Sequence, residues 1–287
     1  MGVVAVCRKV GMSRQNFYAR RRARQRARVD GQLVIQLVKK ERQRQPRLGT
    51  RKLQHVLKGA WEEAGVKLGR DRLFKLLREE ALLVEPLPRE WLSTTCSRHD
   101  WPVHPNLIQE LEVGKPNEVW VADLTYVRTE EGFLFLSLVT DKASRKIVGY
   151  HCAESLAARG CASALRMALA DLPQGQRPIH HSDRGTQYCS REYGKIAAKG
   201  GLRMSMTEKN HCAENALAER MNGILKGEYG LGGRWPSKGR AREAVRQAVH
   251  LYNECRPHGA LKYCTPAQIH RASEPDASNK RKEDAQD

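Results

Sequence analysis

Three carboxylates stand in stretches that could bring them together. Asp123 lies in Val-Trp-Val-Ala-Asp-Leu-Thr-Tyr-Val at 119–127, and Asp183 in His-His-Ser-Asp-Arg-Gly-Thr-Gln-Tyr at 180–188. Glu219 lies in Glu-Asn-Ala-Leu-Ala-Glu-Arg-Met-Asn at 214–222, with Lys226 seven positions further on. Between Asp183 and Glu219 are 35 residues. Converging carboxylates repel unless cations neutralise them. An all-oxygen donor set suits hard ions, Mg²⁺ or Mn²⁺. A pair of such ions serves in-line displacement at a phosphodiester, so the implied substrate is a nucleic acid. Three surface acids in unrelated places is the alternative that any long chain supplies.

The charge supports a polyanionic partner. The net charge is +19 over 287 residues, a footprint for nucleic acid. Residues 1–60 hold 17 Lys/Arg against 2 Asp/Glu, so about +15 of the total falls there. A histone-like protein could match that charge, but an apolar content of 40% also allows a real core. No run approaches the ~18–20 apolar residues of a membrane span. Eight cysteines at 7, 96, 152, 161, 189, 212, 255 and 264 form no Cys-x-x-Cys pair. That spacing argues against a zinc module and a secreted disulfide scaffold, and favours a reducing cytoplasm with no membrane association.

The elements that must position the acids read as follows. Strands are expected at Glu118–Val127, Phe133–Asp141 and Lys146–Cys152, the first two joined through the Glu-Glu-Gly turn at 130–132. A helix at Ser155–Leu172, a strand at Pro178–Ser182, a helix at Ser190–Lys199, a strand at Leu202–Met206 and a helix at Ala213–Glu228 come next. That order describes an α/β layer with a mixed sheet. Asp123 then lies within or near the end of the first strand, Asp183 just past the fourth, and Glu219 on the last of these helices. For the two aspartates to share a metal, the first and fourth strands must be neighbours. A further helix carries Val245, Ala248, Val249 and Tyr252 at core spacing, with Asn253, Arg256 and His258 after it. The Arg-Pro-His segment is expected near the DNA end.

Upstream, residues 1–84 read as a basic helical DNA-binding region. A short helix, a break at Gly11-Met12, a Ser13 cap and a helix at Arg14–Arg28 outline a helix-turn-helix unit. Its arginines, Arg14 and Arg20 among them, suit phosphate contact and carry no base choice. A separate amphipathic helix is expected around Leu33–Val38. Two more follow: one through Leu53–Trp61, punctuated by Gly49-Thr50 and Gly65, and one from Arg70, presenting Arg70, Arg72 and Lys75. Residues 85–112, with Pro86, Pro88, Pro102 and Pro105, read as an extended linker. Cys96, His99 and His104 within it match no zinc spacing. The core with its C-terminal helix spans 113–272, and the polar tail at 273–287 is expected to be disordered.

Five stretches then resemble one family. Asp-Leu-Thr-Tyr at 123–126, His-Ser-Asp-Arg-Gly-Thr-Gln-Tyr at 181–188 and Asn-Ala-Leu-Ala-Glu at 215–219 look like motifs of retroviral-integrase-type transposases. The closing Tyr-Asn-Glu-Cys-Arg-Pro-His-Gly-Ala-Leu-Lys-Tyr-Cys-Thr-Pro-Ala at 252–267 is similar to that of second-frame products of the bacterial insertion-sequence-three family. Gly-Thr-Arg-Lys-Leu at 49–53 resembles that family's upstream helical module. The resemblance covers roughly residues 1–272. Ala213 departs from it, standing where the family often has an aromatic residue.

The resemblance implies an RNase H-like fold and a catalytic, metal-holding site of Asp123, Asp183 and Glu219. It also implies cleavage of element ends and strand transfer with two Mg²⁺ or Mn²⁺ ions, by a homo-oligomer on DNA. A product of an upstream reading frame is a further expected partner. Lys226, two helical turns beyond Glu219 on the same face, is expected to hold a phosphate or terminal nucleotide. Arg184 and Gln187 could contact DNA or fix the loop of Asp183. Two other functions fit the same residues: a non-catalytic DNA-binding regulator or remnant, and a structure-selective RNase H-like nuclease.

Overall fold

The structure, a computed structural model, describes residues 3–85, 101–208 and 215–272. Cys96, His99, Ala213 and the tail at 273–287 lie outside the described residues. The chain forms two compact units, Met1–Glu85 and Pro86–Asp287.

The first unit is helical: α1 (Val3–Lys9), α2 (Arg14–Arg44), α3 (Thr50–Glu63) and α4 (Arg70–Glu79). Ser13 caps α2 as expected, its hydroxyl accepting from the Asn16 amide at 3.1 Å. The two helices expected across 14–38 are one helix of 31 residues. Val29-Asp30-Gly31-Gln32 contains no proline to break it, and Gly31 is helical with the Leu76 side chain close against it. The C-terminal half of α2 carries most of its buried residues. Val34 and Val38 join Leu53, Leu57 and Trp61 of α3 and Leu73 and Leu77 of α4 in one core. Most of residues 14–28 are exposed, including Arg14 and Arg20. Gly65 takes φ +75° at the end of α3, a conformation costly for a residue with a Cβ.

The second unit is a mixed sheet with helices on both faces. Its strands are β1 (Val119–Thr129), β2 (Gly132–Asp141), β3 (Ile147–Ala153), β4 (Ile179–Ser182), β5 (Arg203–Met206) and β6 (Arg234–Trp235). The order is β3-β2-β1-β4-β5, with β6 paired to β1. β1–β2 and β2–β3 are antiparallel, and β4 runs parallel to both β1 and β5. The required neighbours are therefore neighbours: Val119, Trp120 and Val121 pair with Ile179, His180 and His181. This is the RNase H-like arrangement that the motifs implied.

Side chains alternate across β1 with the period of two that a strand imposes. Trp120, Ala122 and Leu124 join a core with α5 (Ala158–Ala170), α6 (Thr186–Cys189) and α7 (Arg191–Lys199). On the opposite face Val127, Leu134, Leu136 and Leu138 meet Met221, Ile224 and Leu225 of α8 (Ala216–Glu228) and Val245 and Tyr252 of α9 (Lys238–Glu254). A last helix, α10 (Pro266–Ala272), follows. α5 crosses β3 at Gly149, where a Cβ would stand 2.2 Å from the Ala164 carbonyl oxygen. The end of the expected linker is held by the core: the Leu107 amide donates to Ser205 Oγ at 2.9 Å, and Ile108 is buried.

Candidate active site

Asp123 projects from β1 toward the face that α8 covers, in register with Leu138 on β2. Its carboxylate is held at both oxygens. Oδ1 accepts from the Leu124 amide at 2.9 Å, and Oδ2 accepts from Asn222 Nδ2 at 2.7 Å. Burial pushes Asp123 up to about 7, and Asp183 and, to a smaller extent, Glu219 add to the shift. Two hydrogen bonds to the charged form pull the other way without cancelling it. Both other acids thus lie within electrostatic reach of Asp123.

Asp183 follows β4 directly, in the turn that leads into α6. Its Oδ1 accepts from the Gly185 amide at 3.0 Å. A Cβ at Gly185 would come within 3.0 Å of that same oxygen and 2.9 Å of Gln187 Oε1, so a side chain there would press on the Asp183 and Gln187 side chains. Arg184 and Gln187 make the bonds of loop fixation. Arg184 Nε donates to the Thr207 carbonyl at 2.6 Å, and Gln187 Nε2 to the Leu156 carbonyl at 3.1 Å. Gln187 is buried, leaving it little surface for DNA.

Glu219 sits in the first turn of α8 and is exposed. An acid there is favoured by the helix dipole. The start of α8 is tied to β1 by Asn215, whose Nδ2 donates to the Ala122 carbonyl at 3.1 Å. Glu219, Asn222 and Lys226 follow one another at i, i+3 and i+7, the spacing of one helix face. Lys226 is half-buried, its ammonium 3.9 Å from the centroid of the Tyr126 ring. Desolvation lowers its pKa, and the Asp123 charge opposes that.

Arg256, in the Arg-Pro-His segment expected near the DNA end, is buried. Its Nε and Nη2 donate to the two Glu228 oxygens at 2.8 and 2.7 Å, and its side chain is 4% exposed. A guanidinium so enclosed offers DNA no free edge. In the first unit, Arg70 and Arg72 of α4 are exposed, Arg70 being paired with its neighbour Asp71 at 2.8 Å.

Asn222, Asn215, Tyr126 and Gly185 escaped the sequence reading. Asn222 carried a signal, since it lies three residues after Glu219 on the same face. His180 and His181 are also structural. His180 Nε2 pairs with the Tyr193 hydroxyl at 2.8 Å and His181 Nδ1 with Ser205 Oγ at 2.9 Å, both under α7 or between strands and fully buried. Burial lowers His180 to about 4. The unfolded chain, with its histidine near 6.5, therefore binds the proton more readily than the fold does. The resulting stabilisation is complete above pH ~6.5 and is lost as pH falls toward 4, up to ~3 kcal/mol. Thermal melts across pH 7.5 to 4.5 should show this loss, and His180→Gln should flatten the curve. Equal pH slopes for both proteins would remove His180 as its cause.

The donors fit a hard divalent ion in kind and charge, being three carboxylates. Among the described residues, no trio of His, Cys, Asp or Glu is gathered closely enough to hold an ion as it stands. No described helix is long and apolar enough to cross a membrane.

Comparison with known proteins adds the family. Two models of an integrase core domain match, one over residues 114–212 and the other over 200–266. The 31 kDa protein of insertion element IS600 from Shigella sonnei is 37% identical over 270 residues, covering 91% of this chain and 96% of its own. The chain belongs to the IS3 transposase family. The transposase InsF of insertion sequence IS3A from Escherichia coli K12 is 34% identical over 234 residues, covering 74% of this family member and 80% of InsF. Among solved structures, the HTLV-2 integrase catalytic core with magnesium is 21% identical, with TM-score 0.45 over 55% of this chain and 99% of that one. A simian T-cell lymphotropic virus intasome chain is 19% identical, with TM-score 0.49 over 80% of this IS3-family chain and 72% of that one.

Proposed function

We propose that this chain is a DNA transposase that cleaves element ends and joins the freed 3′-hydroxyl to target DNA. Asp123, Asp183 and Glu219 form its metal-holding, catalytic site. The observation that supports the reading is that β1 pairs with β4 and packs against α8, and that the charges of Asp183 and Glu219 both raise the pKa of Asp123. The donors suit two Mg²⁺ or Mn²⁺ ions, which when bound would activate the attacking oxygen and stabilise the leaving one. Leu124 and Asn222 orient the Asp123 carboxylate, and Gly185 orients that of Asp183. Water attacks a phosphodiester and releases a 3′-hydroxyl, which then attacks a second phosphodiester, each displaced oxygen leaving with a proton.

The exposed arginines of α2 and α4, with Arg14, Arg20, Arg70 and Arg72 among them, supply phosphate contacts. The working form is a homo-oligomer on DNA in the cytoplasm, with a product of an upstream frame as a further partner. Incubating the protein with a labelled 3′-end and a supercoiled plasmid tests the reading. Label joined to the plasmid marks a transposase, cleavage without joining marks a nuclease, and binding alone marks a regulator.

Lys226 lies within electrostatic reach of Asp123, and its ammonium is expected to leave the Tyr126 ring for a DNA phosphate near the scissile bond. Charge-assisted contacts contribute ~1.5–3 kcal/mol, so Lys226→Ala should lower strand transfer roughly 10- to 150-fold. Lys226→Arg should restore only part of it if a single phosphate oxygen is contacted by a point charge, which a planar fork does not replace. Undiminished strand transfer by Lys226→Ala at limiting DNA would assign the ammonium to the ring alone.

A further inference from the structure

The closing segment 252–258 has a use that DNA contact does not explain. Its polar side chains are turned inward and grip two different parts of the fold. Tyr252 Oη donates to the Arg145 carbonyl at 2.9 Å, in the turn before β3. Asn253 bonds both backbone groups of Ile147, accepting from its amide at 2.9 Å and donating to its carbonyl at 3.0 Å. These bonds fasten the end of α9 to the sheet.

The same segment then reaches α8. The Tyr252 hydroxyl lies 3.3 Å from Met221 Sδ. Arg256 takes both carboxylate oxygens of Glu228, the last residue of α8, along one edge of its guanidinium, through Nε and Nη2. The outer nitrogen Nη1 is 2.7 Å from His258 Nε2, and the guanidinium carbon is 5.7 Å from the Tyr252 ring centroid. The cation is almost wholly enclosed, its side chain 4% exposed. A bidentate pair fixes angle as well as distance, which a single hydrogen bond does not.

α8 is thus pinned at two ends. Asn215 holds its start to β1, and Arg256 holds its finish to a segment anchored on β3. Between the pins lie Glu219, Asn222 and Lys226. We propose that Arg256 is a positioning residue: with Glu228 it sets the rotation and height of α8 against the sheet, and so the placement of Glu219 and Lys226 relative to Asp123. This rests on the proposed carboxylate site for its effect on activity but not for its effect on geometry. An ångström of misplacement at a reacting centre can cost on the order of 100-fold in rate, so a brace remote from the chemistry can govern it.

The test separates position from stability. Removing one charge would strand the other in the interior. Removing both, as in the double variant Glu228→Gln/Arg256→Met, commonly leaves stability near neutral while the fork geometry is lost. Lysines are labelled by reductive ¹³C-methylation, and the Lys226 signal is assigned by its absence in Lys226→Arg. In the wild type the Tyr126 ring should shift that signal upfield. In the double variant the upfield shift should collapse, with the melting temperature within a few degrees of wild type. Strand transfer at saturating DNA should fall roughly 10- to 100-fold with little change in the DNA concentration needed for half-saturation. The charge-swapped pair Glu228→Arg/Arg256→Glu should regain part of both readouts. If the double variant does not fold, Arg256→Lys, which keeps the charge and loses the fork, is read in the same way. A Lys226 signal unmoved in a folded variant overturns the proposal. The signal is read without DNA or metal, so inactivity of the wild-type protein would count against the carboxylate site and leave this result standing.

Discussion

Asp123→Asn, Asp183→Asn and Glu219→Gln are each expected to abolish end cleavage and strand transfer while leaving DNA binding close to wild type. Each change removes a negative charge from the proposed hard-ion site with little change in shape. Loss of one electrostatic stabiliser of a transition state lowers rates by on the order of 10²–10³, and loss of a ligand should reach at least that range. The three substitutions differ in what else they disturb. Asp123→Asn turns one acceptor oxygen into a donor, so either the Leu124 amide or Asn222 must find a new partner. Asp183→Asn can keep the bond from Gly185 through its remaining carbonyl. Glu219→Gln is the mildest, because the side chain is exposed and only a first-turn helix charge is lost, worth ~0.3–1 kcal/mol. Metal-dependent strand transfer that persists in any one of the three removes that residue from the site.

The second large effect is the response to salt. Residues 1–60 carry about +15 of the chain's +19. If that region neutralises roughly 6–10 phosphates, affinity should fall about 10³–10⁵-fold between 50 and 200 mM salt, through release of condensed counterions. A protein lacking residues 1–85, the whole first unit, should show a much flatter dependence. The measurement is a series of binding isotherms at fixed pH, plotted as log affinity against log salt. An unchanged slope after the deletion would place the main phosphate contacts on the second unit.

The sheet was legible in the sequence because its strands alternate or run continuously apolar and are separated by clear turns. The pairing of β1 with β4 followed from chemistry more than from pattern, since two acids could share an ion only if their strands were adjacent. Elements with too few residues to show a period were missed. β6 is two residues long, and α6 spans four within the Asp183 motif. The break expected in α2 failed for a related reason: a single glycine lowers helix propensity, but packing against α4 overrides it. Arg256 shows another limit. A charged residue in a polar run reads as surface, and nothing local reveals that Glu228, 28 positions earlier, will enclose it. Lys226 was legible in its direction along α8 and not in its contact, because Tyr126 comes from a distant strand.

The continuity of α2 bears on how the first unit meets a partner. An isolated helix of this charge would be marginal in water, since forming its first turn fixes several residues for one hydrogen bond. Here the packed half, around Val34 and Val38, supplies that turn, and residues 14–30 extend from it as a rod of about 25 Å at ~1.5 Å per residue. Duplex DNA presents a phosphate charge every ~1.7 Å of axis, so a rod of that length laid along it would span roughly 15 of them. Its seven arginines between 14 and 28 stand on an already formed helix. If this helix binds DNA as proposed, little backbone freedom is surrendered on contact, and the length covered is set by the helix as by a ruler.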